Sequence, residues 1–134
     1  MATIDLGAAT FDDTVLGNDI VLLDFWAAWC GPCRSFAPTY EASSEKHPDV
    51  VFGKVDTEKE QQLSAAAGIQ SIPTLMAFRD TVLVFSQAGA LPPAALEELI
   101  QSIKALDMVE VHKKMSDANA SEVTTAESTG TGSN

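Results

Sequence analysis

Apolar positions in this chain fall either into short unbroken runs or into helically spaced stripes, and the two kinds of segment take turns. Ile20-Val21-Leu22-Leu23-Asp24-Phe25-Trp26 is an apolar run with one polar interruption, the pattern of a strand covered on both faces. Val50 to Asp56 has the same character, Thr3 to Leu6 reads as a short edge strand, and Thr74 to Phe78 and Val82 to Phe85 stand close enough to form a hairpin. Helical segments lie between them: Thr10 to Leu16, Gly31 to Lys46, and Glu58 to Ala67, the last ended by Gly68. Pro92-Pro93 opens a fourth helix, because proline is tolerated in a first turn. Its Leu96, Leu99, Ile100, Ile103 and Leu106 keep the three-four rhythm of an amphipathic face.

A strand, a crossover helix and a second strand imply parallel pairing, and the closing hairpin adds antiparallel strands. The expected fold class is α/β, a mixed sheet with helices on both faces. From about Asp107 the pattern decays. The expected organisation is one domain over 1–106, a possible helix extension over 107–115 and a disordered tail over 116–134, where Ser, Thr, Ala and Gly displace large apolar residues.

Composition narrows the function more than the fold. Of the 134 residues, 46% are hydrophobic and 20% charged, ordinary for a soluble domain. The longest apolar stretch falls far short of the roughly 20 residues a membrane helix needs. No basic and apolar leader opens the chain, so a cytoplasmic address and a monomer are the default expectations. A net charge of −11 argues against nucleic acid as a partner and supplies no polybasic membrane tether.

The two cysteines change the picture. They stand in Trp29-Cys30-Gly31-Pro32-Cys33, between the apolar run and the helix that follows it. At a helix start, orphan N–H groups and the positive end of the helix dipole favour a thiolate at Cys30. Cys33 falls one turn further in on the same face, so the sulfurs can meet. Cys30, nearer the open end, is then the attacking nucleophile and Cys33, more enclosed, the resolving thiol. Pro32 has no N–H to lose there and stiffens the turn. No metal site is expected, since His47 and His112 do not stand at zinc-finger spacing from the cysteines.

Asp24 is the second anomaly, a carboxylate sharing a strand face with Leu22 and Trp26. Buried without a cation it would hold its proton, and it could exchange that proton with Cys33. Lys54 on the next strand is the candidate charge partner of Asp24. Pro73 suits a strand start and is trans by general statistics; Pro38 should kink its helix. Met108 and Met115 read as helix-face filler.

Together these residues resemble the thioredoxin family over about Thr3 to Leu106. The matching segments are Val21-Leu-Leu-Asp-Phe-Trp-Ala-Ala-Trp-Cys-Gly-Pro-Cys, Gly53-Lys-Val-Asp, Gly68-Ile-Gln-Ser-Ile-Pro-Thr-Leu and Gly89-Ala-Leu. The resemblance implies a thioredoxin fold, a central mixed five-stranded sheet flanked by four helices. It implies reduction of protein disulfides with no bound cofactor, electrons arriving from NADPH through thioredoxin reductase. The implied partners are that reductase and disulfide-containing proteins. Residue by residue, Cys30 and Cys33 match the attacking and resolving cysteines, Asp24 the buried acid, and Lys54 the lysine near it. Pro73 matches a cis-proline opposite the disulfide, which replaces the trans expectation. Trp29, Gly31, Pro32, Ile72, Gly89 and Ala90 match the rim on which partners dock.

The chain departs from the family pattern at Arg34, Ala67 and Ser71, in its C-terminal extension, and at the hairpin turn Asp80-Thr81, where threonine makes a strict type I′ turn unexpected. Two other readings compete: a thioredoxin-fold binding or regulatory subunit whose docking surface outweighs its redox turnover, and a disulfide oxidase, which would need an oxidising compartment.

Overall fold

A computed structural model describes residues 2–117. They fall into two compact units, one ending at Lys104 and one starting at Ala105. The first holds five strands and four helices: β1 (Thr3–Asp5), α1 (Ala8–Gly17), β2 (Ile20–Trp26), α2 (Gly31–Lys46), β3 (Val51–Asp56), α3 (Gln61–Ala66), β4 (Thr74–Arg79), β5 (Val82–Ala88) and α4 (Pro93–Lys104). The strand order is β1-β3-β2-β4-β5. β3 runs parallel to β1 and β2, whereas β4 runs antiparallel to both β2 and β5. The apolar run Ile20–Trp26 therefore becomes the central strand, the position that its lack of polar alternation demands.

Alternation along β2 splits the core in two. Leu22 faces Phe36 and Tyr40 of α2 and Leu96, Ile100 and Ile103 of α4. Val21, Leu23 and Phe25 face the other layer, with Val15 of α1 and Leu63 of α3. Asp24, two residues from Leu22, thus points to the α2 side. Gly53 of β3 leaves room for Leu6, whose Cδ1 would lie 2.5 Å from any added Cβ.

Several boundaries differ from expectation for identifiable reasons. α3 starts at Gln61 rather than Glu58 because the Asp56 carboxylate accepts the N–H groups of Glu58 and Lys59, forming a separate turn. β5 continues to Ala88, paired with Thr74. The β4–β5 turn has positive φ at both Asp80 (51°) and Thr81 (69°), contrary to the sequence expectation. Arg79 pairs with Val82, so only two residues make the turn, and Asp80 N–H is held by Asp19 O at 2.8 Å. The register overrides the preference of threonine.

The last helix of the first unit stops at Lys104. In the second unit α5 (108–117) is a separate helix rather than a prolongation, with Asp107 capping the N–H groups of Val109 and Glu110. Ser116 and Asp117, expected in the tail, belong to it, and the rest of the expected tail, 118–134, lies outside the described residues.

Candidate active site

Cys30 and Cys33 form a disulfide at the junction of β2 and α2, with Cα atoms 5.2 Å apart. Cys30 is the N-cap of α2, in extended backbone conformation, and Gly31 and Pro32 fill the first two helical positions. The cap is a sulfur: Cys33 N–H donates to Cys30 Sγ at 3.2 Å. That N–H is one of the donors every helix start leaves unsatisfied. It turns toward the sulfur that the sequence marks as the nucleophile and favours its thiolate.

Burial does not separate the two sulfurs as expected. Cys30 is 5% exposed and Cys33 3%. Their asymmetry lies in the hydrogen bond, which Cys30 Sγ accepts from Cys33 N–H. Ala27, Trp26 and Ile72 pack around the pair.

The Ile72–Pro73 bond is cis. Ile72 O lies 3.8 Å from Cys30 Sγ, so the segment before β4 forms a wall against the disulfide. Gly89, at φ 106°, donates its N–H to Pro73 O at 2.7 Å. This positive φ suits glycine and ties the end of β5 to the cis-proline segment. Gly89 and Ala90 are exposed.

Trp29 is 67% exposed, and its indole N–H donates to the Glu58 carboxylate. Glu58 is placed by the Asp56 turn, and Thr57 bonds Trp26 O through both its N–H and its hydroxyl. Sequence reasoning used Glu58 only to open a helix. Its role depends on a contact between loops 29 residues apart, for which the residue pattern carries no signal.

Asp24 is 1% exposed, and neither carboxylate oxygen has a hydrogen-bond partner among the described residues. Loss of water raises its pKa from 3.8 to about 6, opposed in part by the positive charge of Lys54. Lys54 pairs with Asp24 in the β2–β3 register. Its ammonium sits 4.9 Å from the centre of the Trp26 ring, and no ion pair with Asp24 forms within 4 Å. Lys54 thus acts on Asp24 through space. Tyr40, fully buried, donates to Gly53 O at 2.8 Å, and its own pKa is raised by burial and by Asp24.

This arrangement suits thiol–disulfide chemistry: a sulfur pair at a helix start, walled by a cis-proline segment, with a buried carboxyl that titrates at about 6 in the same strand–helix unit. Comparison with known proteins agrees. The thioredoxin family model matches residues 2–105. A Streptomyces coelicolor protein bearing the name thioredoxin 2 is 53% identical over 119 residues, 89% of each chain. The thioredoxin of Alicyclobacillus acidocaldarius is 39% identical over 103 residues, 76% of this chain and 98% of its own. The chain belongs to the thioredoxin family. Among solved structures, a mutant thioredoxin from Halobacterium salinarum superposes with a TM-score of 0.72 at 36% identity, over 78% of this chain and 91% of its own. The fold is the thioredoxin fold and the protein is a thiol-disulfide oxidoreductase that reduces protein disulfides. A binding or regulatory subunit whose docking surface outweighs its redox turnover is not favoured. Among the described residues no His, Cys, Asp and Glu cluster is arranged to hold a metal, and no helix is long and apolar enough to cross a membrane.

Proposed function

We propose that the reduced chain attacks substrate disulfides through Cys30 and resolves the product through Cys33. The Cys30 thiolate forms a bond to one substrate sulfur and expels the other as a thiolate. Cys33 gives its proton to the Asp24 carboxylate, and its thiolate then attacks Cys30 Sγ. The mixed disulfide breaks, the second substrate sulfur leaves as a thiolate, and the chain ends with the Cys30–Cys33 disulfide. Two electrons have passed to the substrate, whose thiolates take protons from water. Lys54 tunes Asp24, and Pro73 holds the wall opposite the sulfurs. Trp29, Gly31, Pro32, Ile72, Gly89 and Ala90 are the docking rim.

The observation that supports this assignment is the Cys33 N–H on Cys30 Sγ, a donor placed to stabilise a thiolate there once the disulfide is reduced. Electrons to restore the dithiol come from NADPH through thioredoxin reductase. The working form is a cytoplasmic monomer, with 116–134 dispensable for turnover.

Insulin reduction coupled to NADPH oxidation by thioredoxin reductase tests this directly. Cys30→Ser abolishes turnover, and Cys33→Ser accumulates a covalent complex with substrate that the native chain does not. Native turnover no faster than that of Cys30→Ser, or trapping by Cys30→Ser instead, would overturn the assignment. A chain ending at Met115 keeps its turnover.

A further inference from the structure

α2 is closed by a histidine that the thiol chemistry does not use. His47 is the C-cap of α2 and is 6% exposed. Its carbonyl accepts the Val50 N–H at 3.0 Å, which fixes the backbone of the turn into β3. The ring reaches α4 through both nitrogens: Nε2 lies 2.7 Å from Glu97 Oε1, and Nδ1 lies 3.0 Å from Lys104 Nζ. Glu97 and Lys104 stand two helical turns apart on one face of α4. Between them, Gln101 donates to the other Glu97 oxygen at 2.8 Å.

These partners fix the position of the ring proton. A lysine ammonium donates and has no lone pair with which to accept. His47 Nδ1 is therefore bare, and the proton sits on Nε2, where it is donated to Glu97. Lys104 also reaches Asp49, with Nζ 3.0 Å from Oδ2. Among the described residues, the charged groups around the ring are thus Glu97 and Lys104 of α4, Asp49 of the turn, and Lys46, which ends α2 and acts on Glu97. Hydrogen bonds from His47 and Lys104 hold the Glu97 and Asp49 carboxyls below their ordinary range. Both stay charged where a histidine changes charge.

We propose that His47 is a proton-operated fastening between α2 and α4, which holds Lys104 only while Nδ1 is bare. A proton taken from water onto Nδ1 occupies the lone pair that Lys104 uses and sets two cations side by side. The Lys104 bond breaks, and Lys104 falls back on Asp49. The bond from Nε2–H to Glu97 persists as an imidazolium–carboxylate pair, a stronger kind of hydrogen bond. On acidification the fastening therefore withdraws from the C-terminal end of α4 to its middle. Arg79 still donates to the Ile103 and Lys104 carbonyls, so the last turn loosens without unwinding.

Two measurements test the device. Nitrogen NMR of the native chain at high pH shows the His47 ring proton on Nε2; a proton on Nδ1 would overturn the inference. Amide hydrogen exchange, corrected for intrinsic rates, then compares pH 8 with pH 5, the range in which histidine changes charge. Protection of Ile103 and Lys104 relative to Glu97 falls roughly fivefold at pH 5, the effect of one lost hydrogen bond. His47→Gln carries no titrating ring and shows the same relative protection at both pH values. Asp24 titrates at about 6, within the same range, and that variant keeps it. A native ratio that does not change with pH, or one that changes equally in His47→Gln, would overturn the inference.

Discussion

The two halves of the active site are built on opposite principles. At the start of α2 the Cys30 sulfur has a backbone donor already aimed at it, the Cys33 N–H at 3.2 Å. In the middle of β2, Asp24 is equally hidden from water, yet its carboxylate has no hydrogen-bond partner among the described residues. One half is satisfied and gains stability from its surroundings. The other is left in want of a proton. The difference teaches that a directional site needs both: a stabilised thiolate to begin and an unsatisfied base to finish.

Asp24→Asn breaks the comparison most severely. An unfolded aspartate titrates near 3.8 and Asp24 in the folded chain at about 6. Between those values the folded chain holds the extra proton, so stability is highest below 3.8 and falls as pH rises through about 6. The shift corresponds to roughly 3 kcal/mol of stability missing at pH 7. Asp24→Asn therefore raises the melting temperature at pH 7, with no gain below pH 4; equal gains at both would contradict the account. In the same variant resolution of the mixed disulfide slows. For the native chain, single-turnover resolution falls as pH drops below about 6, because a protonated Asp24 takes no further proton, and the variant lacks that step.

Tyr40→Phe sharpens the contrast from the structural side. It removes the hydroxyl bonded to Gly53 O and keeps the ring packed against Phe36 and Phe52, with centroids 5.6 and 5.2 Å away. Leaving that carbonyl unpaired costs about 1–2 kcal/mol in urea denaturation, with turnover at 25 °C retained. The smallest effect is expected at Thr81→Gly, which relieves a threonine at φ 69° and raises stability by about 1 kcal/mol. Like Asp24→Asn it gains stability, but its insulin reduction is unchanged. Activity lost with the turn variant would show that stability alone, rather than the proton, explains Asp24.

Much of this was legible in the residues because the chemistry was local. β2 and α2 have the bounds read from the apolar run and the Gly-Pro segment, and Asp24 stood out as a carboxyl among branched aliphatics. The cis state of Ile72–Pro73 was accessible through the family resemblance, since the residues alone favour trans. The hairpin turn was misread because the register of β4 against β5 outranked the preference of one threonine. Glu58 escaped notice because its significance arises from a loop contact. The break before α5 did have a signal, Asp107 followed by Glu110, a capping pattern hidden by the apparent continuity of the stripe.

The strand order also carries a consequence for the chain as it is synthesised. β2 emerges with its thiols close behind, but one of its flanking strands, β4, lies some fifty residues later. Until Pro73 and then Gly89 have left the ribosome, the cysteines have a helix start but no opposing wall, and one side of β2 has no ladder. A nascent chain thus carries exposed, unselective thiols before it carries a reductase. The site matures from its middle outward, and its selectivity is the last thing to form.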